Sequence, residues 1–345
     1  MNFSIAQRNK YKKSDFPYID FSPTFNMLDS SKISTYTRCR RKFLWEYILG
    51  LRSIWPNRHL IYGTAMHLAL EHILKLSPEQ VADHEELNRQ IMIAYHLALD
   101  SYRVHFDPDT DDLRKPKSPE YIIPSLIGYV HLYKDEWTTE ELIATELFGQ
   151  VPIDENGTLV TYRNDAIRRN QRGQLYVLEH KTGSMAGSAW YDQWMLAYQP
   201  MVYYHSLVYN NPGEEHWGVL INGIIAAKRK NVTVEGINFH RVPVRYTNNQ
   251  MSDGLATLSS EISDIHNDMD ELMQATPETK RLNAFRRCPT ACTDFNTTCV
   301  YHTLCSLESN PVKIASRIKD DNMNIPEGFQ IEHWNPLDDA KGEVV

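Results

Sequence analysis

TYRNDAIRRNQRGQLYVLEHKTG, residues 161–183, presents an acid, a polar turn, and then an acid and a lysine two positions apart. The turn Asn170-Gln171-Arg172-Gly173 separates two stretches with strand composition, which predicts a β-hairpin. Side chains alternate along a strand, so Glu179 and Lys181 share one face while His180 points away. Asp165, near the middle of the first strand, can then face Glu179 across the hairpin. Two carboxylates and an ammonium converging on a sheet can hold a divalent cation and a polarised water. Ordinary solvated charge on a hairpin face is the competing reading of these residues.

Two further segments bear on that choice. Ala189 to Tyr209, AWYDQWMLAYQPMVYYHSLVY, has an aromatic-rich helical pattern in which Gln199 and Tyr203 lie four apart on one face. Tyr62 to Leu74, YGTAMHLALEHIL, predicts a helix with His67 and Glu71 on one face. Taken singly, such residues are usually core packing. Their joint occurrence in this order is far less expected from packing alone.

The order GTAMH, then D, then ExK, then QxxxY resembles the RecB-type branch of the PD-(D/E)XK nuclease superfamily. Ser31 to Leu51, SKISTYTRCRRKFLWEYILGL, is similar to the S-x-Y-x-x-C-P-x-x-F opening of that branch, and the resemblance extends over residues 31–305. Arg40 stands where the branch usually has proline, and His180 where tyrosine or an apolar residue is common in the ExK strand. Neither change alters a side chain expected to bind metal. The resemblance implies that His67, Asp165 and Glu179 are metal ligands, together with the His180 carbonyl. It further implies that Lys181 orients and activates the attacking water, and that Gln199 and Tyr203 position the active site and the DNA backbone. An oxygen-rich site suits magnesium or manganese, and one imidazole tilts the preference toward manganese. Lysine beside the cation would stabilise charge developing at phosphorus, as hydrolysis of a phosphodiester requires. Glu146, in the strand pattern Leu142 to Gln150, is another candidate inward acid, although the family motif does not require one there.

The five cysteines are Cys39, Cys288, Cys292, Cys299 and Cys305, four of them within RRCPTACTDFNTTCVYHTLC. The N-terminus lacks the apolar stretch of a secretory signal, so a reducing, cytoplasmic setting in a bacterial or phage-infected cell is expected, and metal binding is favoured over disulfides. The four local cysteines could make a zinc site, with His302 competing for a position. The resemblance implies instead a four-iron, four-sulfur cluster held by Cys39, Cys292, Cys299 and Cys305, with Cys288 the alternative ligand. Such a crosslink would join distant parts of the chain and restrict the unfolded state.

With 345 residues and 42% hydrophobic content, the chain can build a sizeable core, and no apolar run is long enough to span a bilayer. A net charge of −8 by itself argues against broad nonspecific attraction to DNA. Basic clusters remain at Arg38, Arg40, Arg41 and Lys42; at Arg168, Arg169 and Arg172; at Lys228, Arg229 and Lys230; and at Arg286 and Arg287. Each is a solvated face or a phosphate contact, and the clusters beside the hairpin and the cysteines favour phosphate.

The expected fold is α/β: a restriction-endonuclease-like PD-(D/E)XK core with a mixed central sheet flanked by helices. Its segments are an irregular arm (1–29), a mostly helical N-terminal portion (30–140), the nuclease core (141–280), a cysteine segment (281–310) and a polar tail (311–345). Helices are expected at 32–49, 63–75, 85–105, 119–136, around Gln199, and at 253–274. Strands are expected at 142–152, 159–168, 174–181, 217–227 and 238–246. No GxxxxGK[ST] motif occurs, so any unwinding would come from a helicase or recombination partner. The expected activity is that of a metal-dependent DNA exonuclease acting on single strands or duplex ends in recombination, repair or phage DNA metabolism. The alternatives are a non-catalytic DNA-end binding or assembly module, and an endonuclease.

Overall fold

A computed structural model of the chain describes residues 11–22, 24–280, 282–333 and the backbone of 343–344. The chain divides into two compact units. One comprises Met1–Trp55, Gly149–Thr161 and Asn249–Asp339; the other comprises Pro56–Phe148, Tyr162–Asn248 and Ala340–Val345.

The second unit is built on a mixed sheet. Its strands run in the order Ile237–Val244, His216–Ala226, Leu175–Gly183, Leu159–Arg169, Glu141–Pro152 and the short Glu343–Val344. The hairpin read from the sequence is present, with Ala166 opposite Leu178 and Arg169 opposite Leu175 in an antiparallel ladder. Gly173 sits at φ +80 in the turn, a backbone conformation that favours glycine. Asn170 closes that turn: its N–H donates to the Gln174 carbonyl at 3.0 Å.

Leu175–Gly183 pairs in parallel with His216–Ala226, so the chain needs a crossover between them, and the helix Tyr198–Asn210 lies in it. The aromatic stretch does not form one continuous helix. It divides into Ser188–Asp192, a 3-10 turn at Gln193–Leu196, an extended Ala197 and then Tyr198–Asn210. Pro200 explains the restart, because proline lacks an N–H and fits a helix only in its first turn.

Alternation divides the sheet's contacts. Tyr176, Leu178 and Ile224 join a core with residues of the helices Arg58–Leu74, His84–Arg103 and Ile122–Tyr133. That apolar burial is the main stabilising term for the unit. The arrangement is the mixed α/β fold expected, a central sheet flanked by helices.

Arg168 departs from its expected role at the protein surface. Its side chain is 4% exposed, and Nη1 lies 2.6 Å from Glu136 Oε2 and 3.6 Å from Glu140. Arg241 meets the same Glu136 carboxylate and lies over the Tyr133 ring at 3.6 Å. A buried guanidinium needs such partners, so Arg168 is structural and not available to phosphate. Arg169 is likewise engaged, with Glu214 at 2.7 Å and Glu141 at 3.3 Å.

In the first unit the expected helix 32–49 breaks at Cys39, which is extended between Ser30–Arg38 and Arg40–Phe43, and a π-helical turn follows at Leu44–Ile48. Asp268 is a buried hub of this unit. Its Oδ2 accepts from Tyr36 Oη at 2.8 Å and from the Phe285 N–H at 3.0 Å. Arg38 and Arg40 are paired with Asp294 and Asp264, each at 2.5 Å. A helix also occupies Pro311–Asp320.

The Glu136 network yields a stability prediction. Glu136→Ala leaves Arg168 buried without its main counter-charge, and denaturant unfolding should register a loss of about 3–5 kcal/mol. A loss no larger than that of an ordinary surface substitution would contradict this account of the network.

Candidate metal centre

The candidate centre lies within the second unit. His67, on the helix Arg58–Leu74, places Nδ1 3.1 Å from Asp165 Oδ1. The other carboxylate oxygen of Asp165 accepts from the His180 backbone N–H at 2.7 Å. Asp165 is thus held from two sides by an imidazole and by the neighbouring strand. Donor atoms of His67, Glu146 and Asp165 lie within 4.8 Å of one another, a spacing that suits a metal ion.

Glu179 and Lys181 stand on the adjacent strand. Lys181 Nζ contacts Glu179 Oε1 at 2.5 Å, while Glu179 Oε2 is buried with no hydrogen-bond partner. A buried unpartnered carboxylate oxygen is costly, and coordination to a cation would satisfy it. The residues present therefore fit a divalent metal.

The electrostatics follow from crowding. Burial raises the Glu179 carboxyl to about 8, with Asp165 adding to the shift. Glu146 is likewise pushed up to about 7 by burial and then by Asp165, with Glu71 contributing. Burial would also raise Asp165, but His67 overrides it by charge and hydrogen bond and holds the carboxyl well below its usual range. Burial would lower His67, yet Asp165 lifts it to about 9. His180 belongs elsewhere: burial lowers it to about 3, its Nδ1 lies 3.1 Å from Asn222, and its ring packs near Tyr129. Its neutral side chain points away from Glu179, as alternation requires.

Gln199 and Tyr203 are bonded to each other, Gln199 Nε2 donating to Tyr203 Oη at 2.9 Å. Glu71, on the His67 helix, accepts from Lys75 Nζ at 2.9 Å and from Thr145 Oγ1 at 3.3 Å.

Glu146 is the residue that sequence reasoning placed behind the others. Its φ is +46, so the strand Glu141–Pro152 leaves regular extended geometry at this point. Strict alternation cannot anticipate such a residue, and a non-glycine in this conformation carries backbone strain. An acidic residue within an otherwise strand-like pattern was the one signal available.

The five cysteines lie in the first unit, free and partly exposed. Among the described residues, none joins a set of three metal-ligating donors within 4.8 Å. Thiolates around one zinc, each about 2.3 Å from the metal, would be that close. The sulfurs are thus not gathered as a compact zinc site requires. The expected four-iron, four-sulfur cluster gains no support from their arrangement either.

A family model described as the PD-(D/E)XK nuclease superfamily matches residues 30–306. The chain belongs to the PD-(D/E)XK nuclease superfamily, which implies a metal-dependent phosphodiesterase with a nucleic-acid substrate. No curated protein matches the chain. A solved structure titled "Crystal structure of SSO0001" is 12% identical over 59% of this chain and 84% of its own, with a TM-score of 0.26; a likeness this slight carries no argument. No helix among the described residues is long and apolar enough to cross a membrane.

The crowded acids make stability depend on pH. Glu179 at about 8 against 4.5, and His67 at about 9 against 6.5, mean that these two groups bind more protons in the folded chain between about pH 6.5 and 8; below about 6.5 His180, lowered to about 3, acts oppositely, and above about 8 so do the buried Lys32 and Lys117, each lowered to about 8. Stability of metal-free protein should therefore fall as pH rises through that window. Asp165, shifted downward, acts oppositely but only in more acidic solution. Saturating Mn2+ should flatten the fall, because bound ligands are already deprotonated. Melting curves from pH 6.5 to 8, with chelator and with Mn2+, check both statements; a Tm in chelator that rises with pH across this range would contradict the assignment. Glu146→Gln should weaken Mn2+ binding measured by calorimetry, whereas an unchanged affinity would remove Glu146 from the donor set.

Proposed function

We propose that this chain is a metal-dependent DNA exonuclease of the RecB-type branch, acting on single strands or duplex ends in recombination, repair or phage DNA metabolism. The observation that carries the reading is the gathering of His67, Glu146 and Asp165 donors, together with a buried Glu179 oxygen that lacks a partner. His67, Asp165, Glu179 and the His180 carbonyl would hold Mg2+ or Mn2+, with Glu146 beside them. When bound, the cation supplies a Lewis-acidic centre that polarises water and neutralises charge on phosphoryl oxygens.

The chain's own residues do the rest. The His180 N–H and the His67 ring fix the Asp165 carboxylate in one orientation. Lys181, tethered to Glu179, presents an ammonium where negative charge develops at phosphorus and favours the deprotonated state of the attacking water. Gln199 and Tyr203, bonded as a pair, are assigned to positioning the DNA backbone. The absence of a GxxxxGK[ST] motif from the sequence supports a helicase or recombination partner as the source of any unwinding.

Incubation of the purified protein with end-labelled single- and double-stranded DNA plus Mn2+ tests the reading. Progressive release of short products from an end supports it. Internal cuts in circular DNA would make the protein an endonuclease, and binding of ends without cleavage would make it an assembly module. Asp165→Asn, Glu179→Gln and Lys181→Ala should each reduce cleavage by at least about 100-fold while much of the DNA affinity remains. Near-normal activity in Lys181→Ala would sink the assignment. His67→Ala should be milder and should change the preference between Mg2+ and Mn2+, since it removes the nitrogen donor.

The iron–sulfur reading belongs to the same proposal. It rests on the spacing of Cys292, Cys299 and Cys305 and on Cys39 in its upstream motif. Anaerobically purified protein should then be brown and should lose its colour in Cys39→Ser but keep it in Cys288→Ser. Colourless protein with stoichiometric zinc would replace the cluster with zinc.

A further inference from the structure

The first unit contains a cavity of about 510 Å³, within the roughly 300–1,000 Å³ typical of ligand clefts. Arg41, Lys280, Arg286 and Arg287 contribute to its lining, with His302, Cys292 and Cys305 among them and no carboxylate in the wall; the two cysteines are ones assigned above to the proposed cluster. Four cations around one hollow repel one another unless something neutralises them. Elsewhere in this unit that need is met by acids, since Arg38 and Arg40 pair with Asp294 and Asp264. None of the four cavity cations forms an ion pair with a carboxylate among the described residues. Arg41 is 3% exposed, and its guanidinium donates to carbonyls, to Phe285 O at 2.8 Å and Ser309 O at 3.4 Å. Arg287 Nη1 donates to the Cys305 carbonyl at 2.7 Å, which anchors a second guanidinium at the wall. Lys280 and Arg286 are exposed.

We propose that this cavity is a phosphate-binding site that engages the backbone of the nucleic-acid substrate, with Arg41 and Arg287 fixed in its wall and Lys280 and Arg286 reaching the phosphate. Anchored guanidiniums present paired donors in the fork geometry that phosphate oxygens accept, while a flexible lysine adds a point charge. The choice of a DNA strand rests on the function proposed above; the phosphate chemistry rests on the cavity alone. The site is separate from the His67, Asp165 and Glu179 donors, which belong to the other unit. It supplies a local positive surface to a chain whose net charge of −8 would otherwise disfavour DNA.

The full-length protein and its Lys280→Ala/Arg286→Ala variant are compared by fluorescence anisotropy with a labelled single-stranded oligonucleotide, in chelator so that no strand is cut. Expected is a loss of affinity of about tenfold near physiological salt. The plot of log K against log salt should become shallower by roughly 1.4, as two lost contacts to a single strand require. Lys280→Arg/Arg286→Lys should retain both affinity and slope, which separates loss of charge from loss of fold. Equal affinity and slope in wild type and the alanine variant would overturn the proposal. The second arm measures Tm with millimolar inorganic phosphate. Stabilisation of the wild type only, with oligonucleotide affinity unchanged between proteins, would identify a free-anion site and overturn the assignment to a strand. Because the assay reads binding without cleavage, its failure leaves the catalytic reading intact, and an inactive enzyme would leave the cavity's test intact.

Discussion

Asp165 lies within Coulombic reach of both Glu146 and Glu179, and burying two carboxylates beside a third, half-buried one is the constraint around which the second unit is organised. Like charges at short range in a poorly hydrated site cannot all remain ionised without compensation. His67 and Lys181 supply part of it, one paired with Asp165 and the other with Glu179. The remainder falls on protonation, with Glu179 raised to about 8 and Glu146 to about 7. A divalent cation removes the same conflict by replacing those protons. The metal-free site is therefore in tension with its own burial, and metal binding, proton release and folding stability become one linked equilibrium.

The surrounding scaffold keeps that tension from relaxing. Asp165 is pinned by the His180 N–H of the neighbouring strand. Parallel pairing of Leu175–Gly183 with His216–Ala226 places the ExK strand between two neighbours, so its register cannot slip without turning every side chain to the opposite face. Glu146 reaches the donor set through a local departure to φ +46. Strain of this kind persists only where surrounding structure over-determines it, and it is common at functional sites.

Basic residues divide by what surrounds them rather than by how they cluster in sequence. Arg168 and Arg241 converge on Glu136, and Arg169 on Glu141 and Glu214, so Arg168 and Arg169 beside the hairpin are committed to ion pairs. Arg286 and Arg287, which look no different as a sequence cluster, border a hollow without acids. Phosphate recognition depends on this uncompensated charge, because a guanidinium already held by a carboxylate has little field left to offer.

Local chemistry made much of this protein legible in its sequence. Alternation across residues 174–181, with Gly173 able to adopt φ +80, determined the hairpin and put Glu179 and Lys181 on one face with His180 on the other. Helical spacing likewise placed Gln199 four residues before Tyr203, and they are bonded. Tertiary structure decided what depends on distant partners. It brought His67 to Asp165 across the fold, turned Glu146 toward them through a backbone conformation that no period-two pattern encodes, and buried Arg168 against Glu136. It also left the four C-terminal cysteines without the compact grouping that their closeness in sequence suggested, among the described residues. Spacing along a chain fixes which side chains share a face, whereas Coulombic and coordination chemistry depends on distances in space, which only the packing of separate elements sets.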